Sequence, residues 1–368
     1  MTDVFSSLPG AVASDDGIAH FGDPVREQRL LAGGTAVVPR DDRAVVSVSG
    51  PDRLTWLDSI TSQALTGLAP GESTELLVLD PQGRVEHAAA VVDDGATTWL
   101  VVDRGDAPGL AKWLGMMRFR AQVEVAARPE LRVAGFVAGG DAAAAAVAAA
   151  IRPAGAAVVW EDPWTGVAPG GWQYADTAAH PGAELAWAEA VVDEDGWRRL
   201  AELPPAGLLA EEALRIAAWR PRWAAEVDER SIPHETDWLR SAVHLAKGCY
   251  RGQETVAKVH NLGHPPRRLV LLHLDGSDSV LPGHGDAVLA GEVEVGRVTS
   301  AARHHELGPI ALAVVARRVA ADETLVVAVG EARVAAAQEV VVPADAGATA
   351  EVPRLTRLSR RPVAHGRA

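Results

Sequence analysis

The run "STELLVLDPQGRVEHAAAVVDDGATTWLVVD", residues 73–103, leaves the folding chain few options. Three apolar stretches of strand length are joined by Pro-Gln-Gly and Asp-Asp-Gly turns, too short for the crossover of about a dozen residues that parallel pairing needs. The strands pair as an antiparallel meander, and alternating βαβ units are excluded. A second block behaves alike. From Arg267 onward, "RRLVLLHLDG", "GDAVLAGEVEVGRVTSAARH", "GPIALAVVARRV" and "ETLVVAVGEARVAAAQEVVV" are short strands with glycine turns at even spacing, the pattern of a small antiparallel barrel or sandwich.

Helices are placed by their caps and periodicity. Asp23-Pro24 opens a short helix, with Asp as cap and Pro at the first helical position. "RAVVSVSG" is a strand, and the helix after it carries Leu54, Leu57, Ile60 and Ala64 on one face, with Asp52 as cap and Gly67 as stop. "DAPGLAKWLGMMRFRAQVEVA" is a helix running into a strand. Residues 139–157 are almost all alanine, either a packed helix with Asp141 as cap or a tolerant linker. Residues 160–203, with glycines, prolines and five tryptophans, show no clear period; Trp160, Trp164 and Trp172 there are candidates to line a pocket. "LLAEEALRIAAWRPR" is an amphipathic helix ended by Pro221. The basic end, 343–368, reads as a disordered tail.

Acidic residues outnumber basic ones 49 to 35, a formal charge of -14, which disfavours direct nucleic-acid binding and anionic membranes. No basic-then-apolar leader opens the chain and no apolar run reaches the roughly 20 residues of a membrane span, so a cytoplasmic protein is expected. One cysteine in 368 residues excludes an internal disulfide and a cysteine-rich cluster site made by one chain. Glycine patterns for dinucleotides, the P-loop and the G-x-S-x-G elbow are absent. His260 and His264 are four apart, but Gly263 and two prolines argue against the helix that metal binding at this spacing needs. His304 and His305 are read as structural.

That cysteine, Cys249, lies in "KGCYRGQET" between Lys247 and Arg251, cations of the kind that raise a thiolate fraction. Gly248 and Gly252 leave room for a close approach, and Gln253 and Glu254 carry groups able to hold a heterocycle. A lone cysteine is also commonly an inert core filler, though this polar setting suits burial poorly.

"KGCYRGQE" matches the K-G-C-[FY]-x-G-Q-E signature and resembles that of the YgfZ folate-binding proteins, relatives of the glycine-cleavage T-protein. "SGPDRLTWLDSITSQALTGLAPGESTELLVLDPQGRV", "EEALRIAAWRPR" with "IPHE", and "GRVTSAARHHELGPIALAVVARR" extend the resemblance over residues 35–340 or so. The resemblance implies an α+β fold, a ring of three domains with antiparallel sheets and a small C-terminal β-barrel around a central cavity for tetrahydrofolate. The expected division is an N-terminal arm (1–34), α+β pieces at 35–130 and 131–205, a helix and cysteine segment returning to the cavity (206–266), a barrel (267–342) and the tail.

It also implies site residues. Cys249 becomes the reactive thiol and Lys247 its tuner, with Tyr250, Arg251, Gln253 and Glu254 as cofactor contacts. A folate tail wants cations, which Arg215 and Arg220 supply, and Trp219 beside them can stack. The carboxylate that holds a pterin in the relatives has Glu184, Glu189 and Glu194 as candidates, with Glu194 in "DEDGWRR" the choice by motif. The relatives' catalytic carboxylate falls near His87 and Ala88, and alanine cannot handle a proton, so aminomethyl transfer is disfavoured. The family role is support of iron–sulfur cluster assembly or repair in client enzymes, among them one that modifies tRNA. The expectation is a monomeric folate-binding accessory protein, with a folate-dependent one-carbon enzyme or a cluster-handling scaffold as alternatives.

Overall fold

Strand parity decides which side chains meet in the middle of the molecule. The computed structural model describes residues 3–277 and 280–350. It begins with a hairpin, β1 (Val12–Ser14) and β2 (Gly17–His20), and helix α1 (Pro24–Ala32), where the Asp23 side chain accepts from the Arg26 amide. This arm is docked: Phe5 is fully buried, edge-on to Trp197 at 4.7 Å. Then follow β3 (Val37–Pro39), β4 (Arg43–Ser49), α2 (Arg53–Ile60), β5 (Ser73–Leu79), β6 (Val85–Asp93), β7 (Thr97–Asp103), α3 (Ala107–Met117) and β8 (Glu124–Ala127). The meander forms as expected, in a five-stranded antiparallel sheet ordered β5-β6-β7-β4-β8.

One face of that sheet packs on α2 and α3 through Leu76, Val78, Ala89, Val91 and Leu100. The other face carries Leu77, Leu79, Ala88 and Ala90, and by the same two-residue period it also carries Glu75 and Arg43. Helix α2 stops at Ile60 instead of reaching Gly67, because the turn after it is held by Lys247, whose ammonium donates to the carbonyls of Asp58, Thr61 and Gln63. A cation on a helix C-terminus satisfies carbonyls that have no intrahelical partner.

The second sheet, β10-β11-β9-β3, joins β9 (Arg132–Val137), β10 (Val159–Glu161) and β11 (Trp187–Val192) to β3. Its outer face is covered by α4 (Asp141–Ala149) and α5 (Glu194–Leu200). The alanine-rich segment is a packed helix: Ala142, Ala146 and Ala149 make a buried stripe, and Gly140 rather than Asp141 is the N-cap. On the inner face stand Trp187, Glu189 and Val191.

Helices α6 (Leu208–Ala217) and α7 (Trp223–Glu226) lie between the sheets and the barrel. Helix α8 (Gln253–Leu262) runs through His260, correcting the expectation that no helix forms there; His260 faces the Tyr174 hydroxyl at 2.9 Å and His264 lies beyond the end. The barrel is closed, in the order β12-β15-β14-β13-β16-β17, from β12 (Arg267–Leu274), β13 (Ala287–Ala290), β14 (Val293–His304), β15 (Gly308–Ala316), β16 (Leu325–Val329) and β17 (Ala332–Val340). The segment expected as a tail starts in contact with the fold: Ala346 is buried and the Thr349 amide bonds the His260 carbonyl. Positions 351–368 lie outside the described residues. No helix among the described residues is long and apolar enough to cross a membrane.

Candidate functional site

Where the inner faces of the two sheets meet α6, they enclose a cleft of about 630 Å³ counted to its mouth, narrowing to about 70 Å³ that water-sized groups can occupy. Trp160, Trp187, Trp223 and Trp238 wall it, with Ala88 and Ala90 on the β6 side. Its polar lining sets five arginines against five carboxylates, and Asp42, Glu212 and Glu226 join the network from behind. Arg40 meets Asp42 at 2.7 Å, Glu189 at 3.0 Å and Glu211 at 3.3 Å, and Arg43 reaches Glu189 and Asp103, both at 3.1 Å. Arg215 pairs with Glu212 at 2.7 Å and Glu226 at 2.9 Å, and donates to the Ser300 hydroxyl.

Arg220 is the hub of the far wall. It pairs with Glu75 at 2.7 Å and Asp162 at 2.8 Å, and its guanidinium carbon stands 5.3–5.9 Å from the centroids of Trp160, Trp164 and Trp238. Burial opposes the charge on Arg215 and Arg220, but their carboxylate partners outweigh it and hold both guanidinium pKa values above the ordinary one. Burial, helped by Glu75 and opposed by Arg220, pushes Asp162 up to about 6. Burial likewise raises Glu211. Glu212 goes the other way: Arg215 and Arg222 overcome its burial and bring it to about 2.

The network is incomplete. Glu75 Oε1, Glu211 Oε2 and Arg222 Nε are buried without a hydrogen-bond partner. Leaving such groups unpaired costs about 1–3 kcal/mol each, more when charged, so they mark where a ligand or water completes the site.

The structure sorts the expected site residues. Arg215, buried, and Arg220, mostly covered, do line the cleft, but as fully engaged structural cations, not free groups at a mouth awaiting a folate tail. Trp219 is directed elsewhere: its backbone is left-handed at φ +59°, and its ring packs edge-on to His180 at 5.3 Å, facing a separate groove with His304 and His305. Glu194 is half exposed at the start of α5, ion-paired to Arg198 at 2.8 Å, and does not reach the cleft. Glu189 does. Glu184 lines the groove beside Trp219.

The cysteine segment forms a surface loop leading into α8. Cys249 is exposed. Lys247 is committed to the α2 carbonyls and to Asp58 at 3.5 Å, and lies over the Tyr250 ring at 5.3 Å, so it anchors the loop. Burial lowers the Lys247 pKa while Asp58 opposes the shift. Tyr250 is core, Arg251 pairs with Glu86 on β6, Gln253 donates to the Lys247 carbonyl at 3.3 Å, and Glu254 is exposed in the first turn of α8. None of these lines the cleft. His87 points away from it too, toward α3, with Nδ1 2.5 Å from Asp106. Reading by motif missed Arg40, Glu75, Asp162 and Glu211; the available signal was a charge sitting in the apolar phase of a strand, as Glu75 does before Leu77 and Leu79.

Comparison places this architecture. The family model for the glycine cleavage T-protein C-terminal barrel domain matches residues 267–343. The crystal structure of glycine cleavage system aminomethyltransferase T from Bartonella henselae superposes with a TM-score of 0.69 at 15% identity, over 92% of this chain and 95% of that one. Aspartate kinase from Synechocystis aligns at a TM-score of only 0.21, with 9% identity over 76% of this chain and 39% of that one, and carries no weight. No curated protein matches. The chain has the T-protein fold, with a barrel of the T-protein type.

The reduced folate that the sequence resemblance implies can be set against this cleft. Chemically it fits a pterin head: aromatic walls flank carboxylate oxygens that lack donors. As it stands, the centres of water-sized groups have about 70 Å³ of the cleft, which is narrow for a bicyclic head.

Proposed function

We propose that this protein is a tetrahydrofolate-binding accessory protein that supports iron–sulfur cluster assembly or repair in client enzymes, with Cys249 as its reactive group. One observation carries the folate part: unpartnered carboxylate oxygens in a tryptophan-walled cleft of a T-protein fold. When bound, the reduced folate supplies a one-carbon carrier. The chain's own residues do the holding: the aromatic walls exclude water, and Glu75 and Glu211 take donors. Ala88 leaves the β6 wall without a proton-handling group, which disfavours one-carbon transfer of the aminomethyltransferase kind. The exposed position of Cys249, outside the cleft, suits thiol chemistry with a client's surface rather than with a buried ligand.

The narrowness of the cleft favours a second reading, a scaffold that meets iron–sulfur clients with the cavity closed. Anaerobic titration calorimetry of tetrahydrofolate into the wild type and Cys249→Ser separates the two. Saturable binding of similar affinity in both is expected; no heat in either overturns the folate reading and leaves the scaffold.

A further inference from the structure

Helix α3 ends in a way that folding alone does not favour. Phe119, just past it, is left-handed at φ +43°, where glycine is usual and a bulky side chain is strained, and it is 82% exposed. Met116, one turn back, is 60% exposed. Around these two apolar side chains stand Lys112, Arg118 and Arg120. All three are exposed, and none has an ion pair or side-chain hydrogen bond among the described residues. No acidic residue occurs between Asp106 and Glu124, in a chain whose formal charge is -14. Cations suit a helix C-terminus, but the helix dipole gives no reason for an exposed phenylalanine in a strained turn. The patch leads into a groove: Lys112, Trp113 and Met116 line a cavity of about 620 Å³ with Trp223 and Val227. The acids of its lining come from other elements, Asp80 and Glu86 from the β5–β6 hairpin and Asp228 and Glu229 from the loop after α7. Glu86 is already paired with Arg251, and Asp228 with Arg267.

We propose that this face docks a partner protein through an acidic segment that carries apolar anchors. Phe119 and Met116 form the apolar knuckle, and the groove beside Trp113 takes the partner's own apolar side chains. Lys112, Arg118 and Arg120 meet its carboxylates. Charge selects the occupant, because three unpaired cations on α3 and its end attract an acidic segment and not a neutral or basic one. Methionine adapts its shape to an apolar strip without demanding one sequence. The proposal goes beyond the folate reading and does not depend on it, since none of these six residues lines the tryptophan-walled cleft. It does bear on Cys249. Arg251, in the cysteine loop, pairs with Glu86 of the groove lining, so a docked segment lies beside that loop.

The probe is an amphipathic helical peptide of leucine, phenylalanine and glutamate, labelled for fluorescence anisotropy and titrated with the full chain at low salt. Saturable binding to the wild type is expected, weakening as salt is added. Replacing the three cations together, Lys112→Gln, Arg118→Gln and Arg120→Gln, is expected to weaken it about tenfold or more. A control of equal charge, Arg152→Gln, Arg199→Gln and Arg333→Gln, is expected to stay within about twofold of the wild type. Phe119→Gly separates docking from folding. Glycine relieves the left-handed strain and keeps or raises the urea midpoint, while the peptide is expected to bind about fivefold or more weakly. No binding by the wild type, equal losses in the patch variant and its control, or full affinity in Phe119→Gly overturns the proposal. Two other occupants have their own signatures. Co-sedimentation with vesicles of phosphatidylcholine and a quarter phosphatidylglycerol, lost in the patch variant, assigns the face to an anionic membrane. A concentration-dependent dimer that the patch variant breaks assigns it to a second copy of this chain. Either result overturns the acidic-segment proposal as well.

Discussion

Lys247 shows how a motif residue can serve the fold rather than the chemistry beside it. In sequence it adjoins the cysteine; in space its ammonium closes the end of α2 and is almost wholly covered. Lys247→Met removes the donor from three carbonyls, and a loss of about 1–3 kcal/mol in urea-denaturation stability is expected. An unchanged midpoint contradicts the anchoring role. Gly135 is a second residue whose identity is dictated by a neighbour: a Cβ there lies 2.2 Å from the Trp187 ring, which walls the cleft. Gly135→Ala is expected to cost about 1–3 kcal/mol as an overpacked site and to shift tryptophan emission; wild-type stability and spectrum argue against the contact.

At the scale of elements, the meander and the barrel strands were legible because alternation and turns are local properties. Helix ends were not. Gly67 looked like the stop for α2, but a lysine 180 or so positions downstream ends the helix at Ile60. The alanine run was ambiguous in composition and became a helix only because its small stripe fits the outer face of the second sheet. The candidate site was less legible still. The cysteine motif is contiguous and conspicuous, whereas the cleft gathers Arg40, Glu75, Asp162, Glu189 and Arg220 from separate strands, a loop and the end of α6. A spacing in sequence cannot reveal such a meeting; the parity of a charge within an apolar strand can hint at it. Ala146→Leu in α4 tests the packing account: a bulkier side chain in the buried stripe is expected to lower the urea midpoint by about 1–3 kcal/mol equivalent, and an unchanged midpoint shows that the stripe is not tightly packed.

For the whole molecule, the buried acids set a pH dependence with a definite sign. Burial pushes Asp237 up to about 7, against the amides of Tyr174 and Ala175 that bond it, and Asp162 up to about 6. Both groups bind a proton more tightly folded than unfolded, so their contribution is fully present below the ordinary carboxylate range and is lost as pH rises through 6 to 7. Buried His180 and His234, lowered to about 4, and His260 and His304, also lowered by burial, oppose this as pH falls through the ordinary histidine value near 6.5. Because the histidines act alike in the wild type and in Asp237→Asn, the wild type is expected to gain urea-midpoint stability relative to that variant as pH falls from 8 to 6.5, and a difference that stays constant over that window contradicts the burial of this acid. Below about pH 4, stability is expected to drop as Asp42 and Glu212, each held at about 2 by arginines against their burial, take up protons. The central claim is that a T-protein ring holds a reduced folate between tryptophans in its cleft. Anaerobic calorimetry of tetrahydrofolate with the wild type and with Ala88→Phe, which fills the cleft from β6, tests it most directly. The account predicts saturable heat from the wild type that Ala88→Phe abolishes; silence from the wild type, or binding indifferent to the phenylalanine, contradicts it.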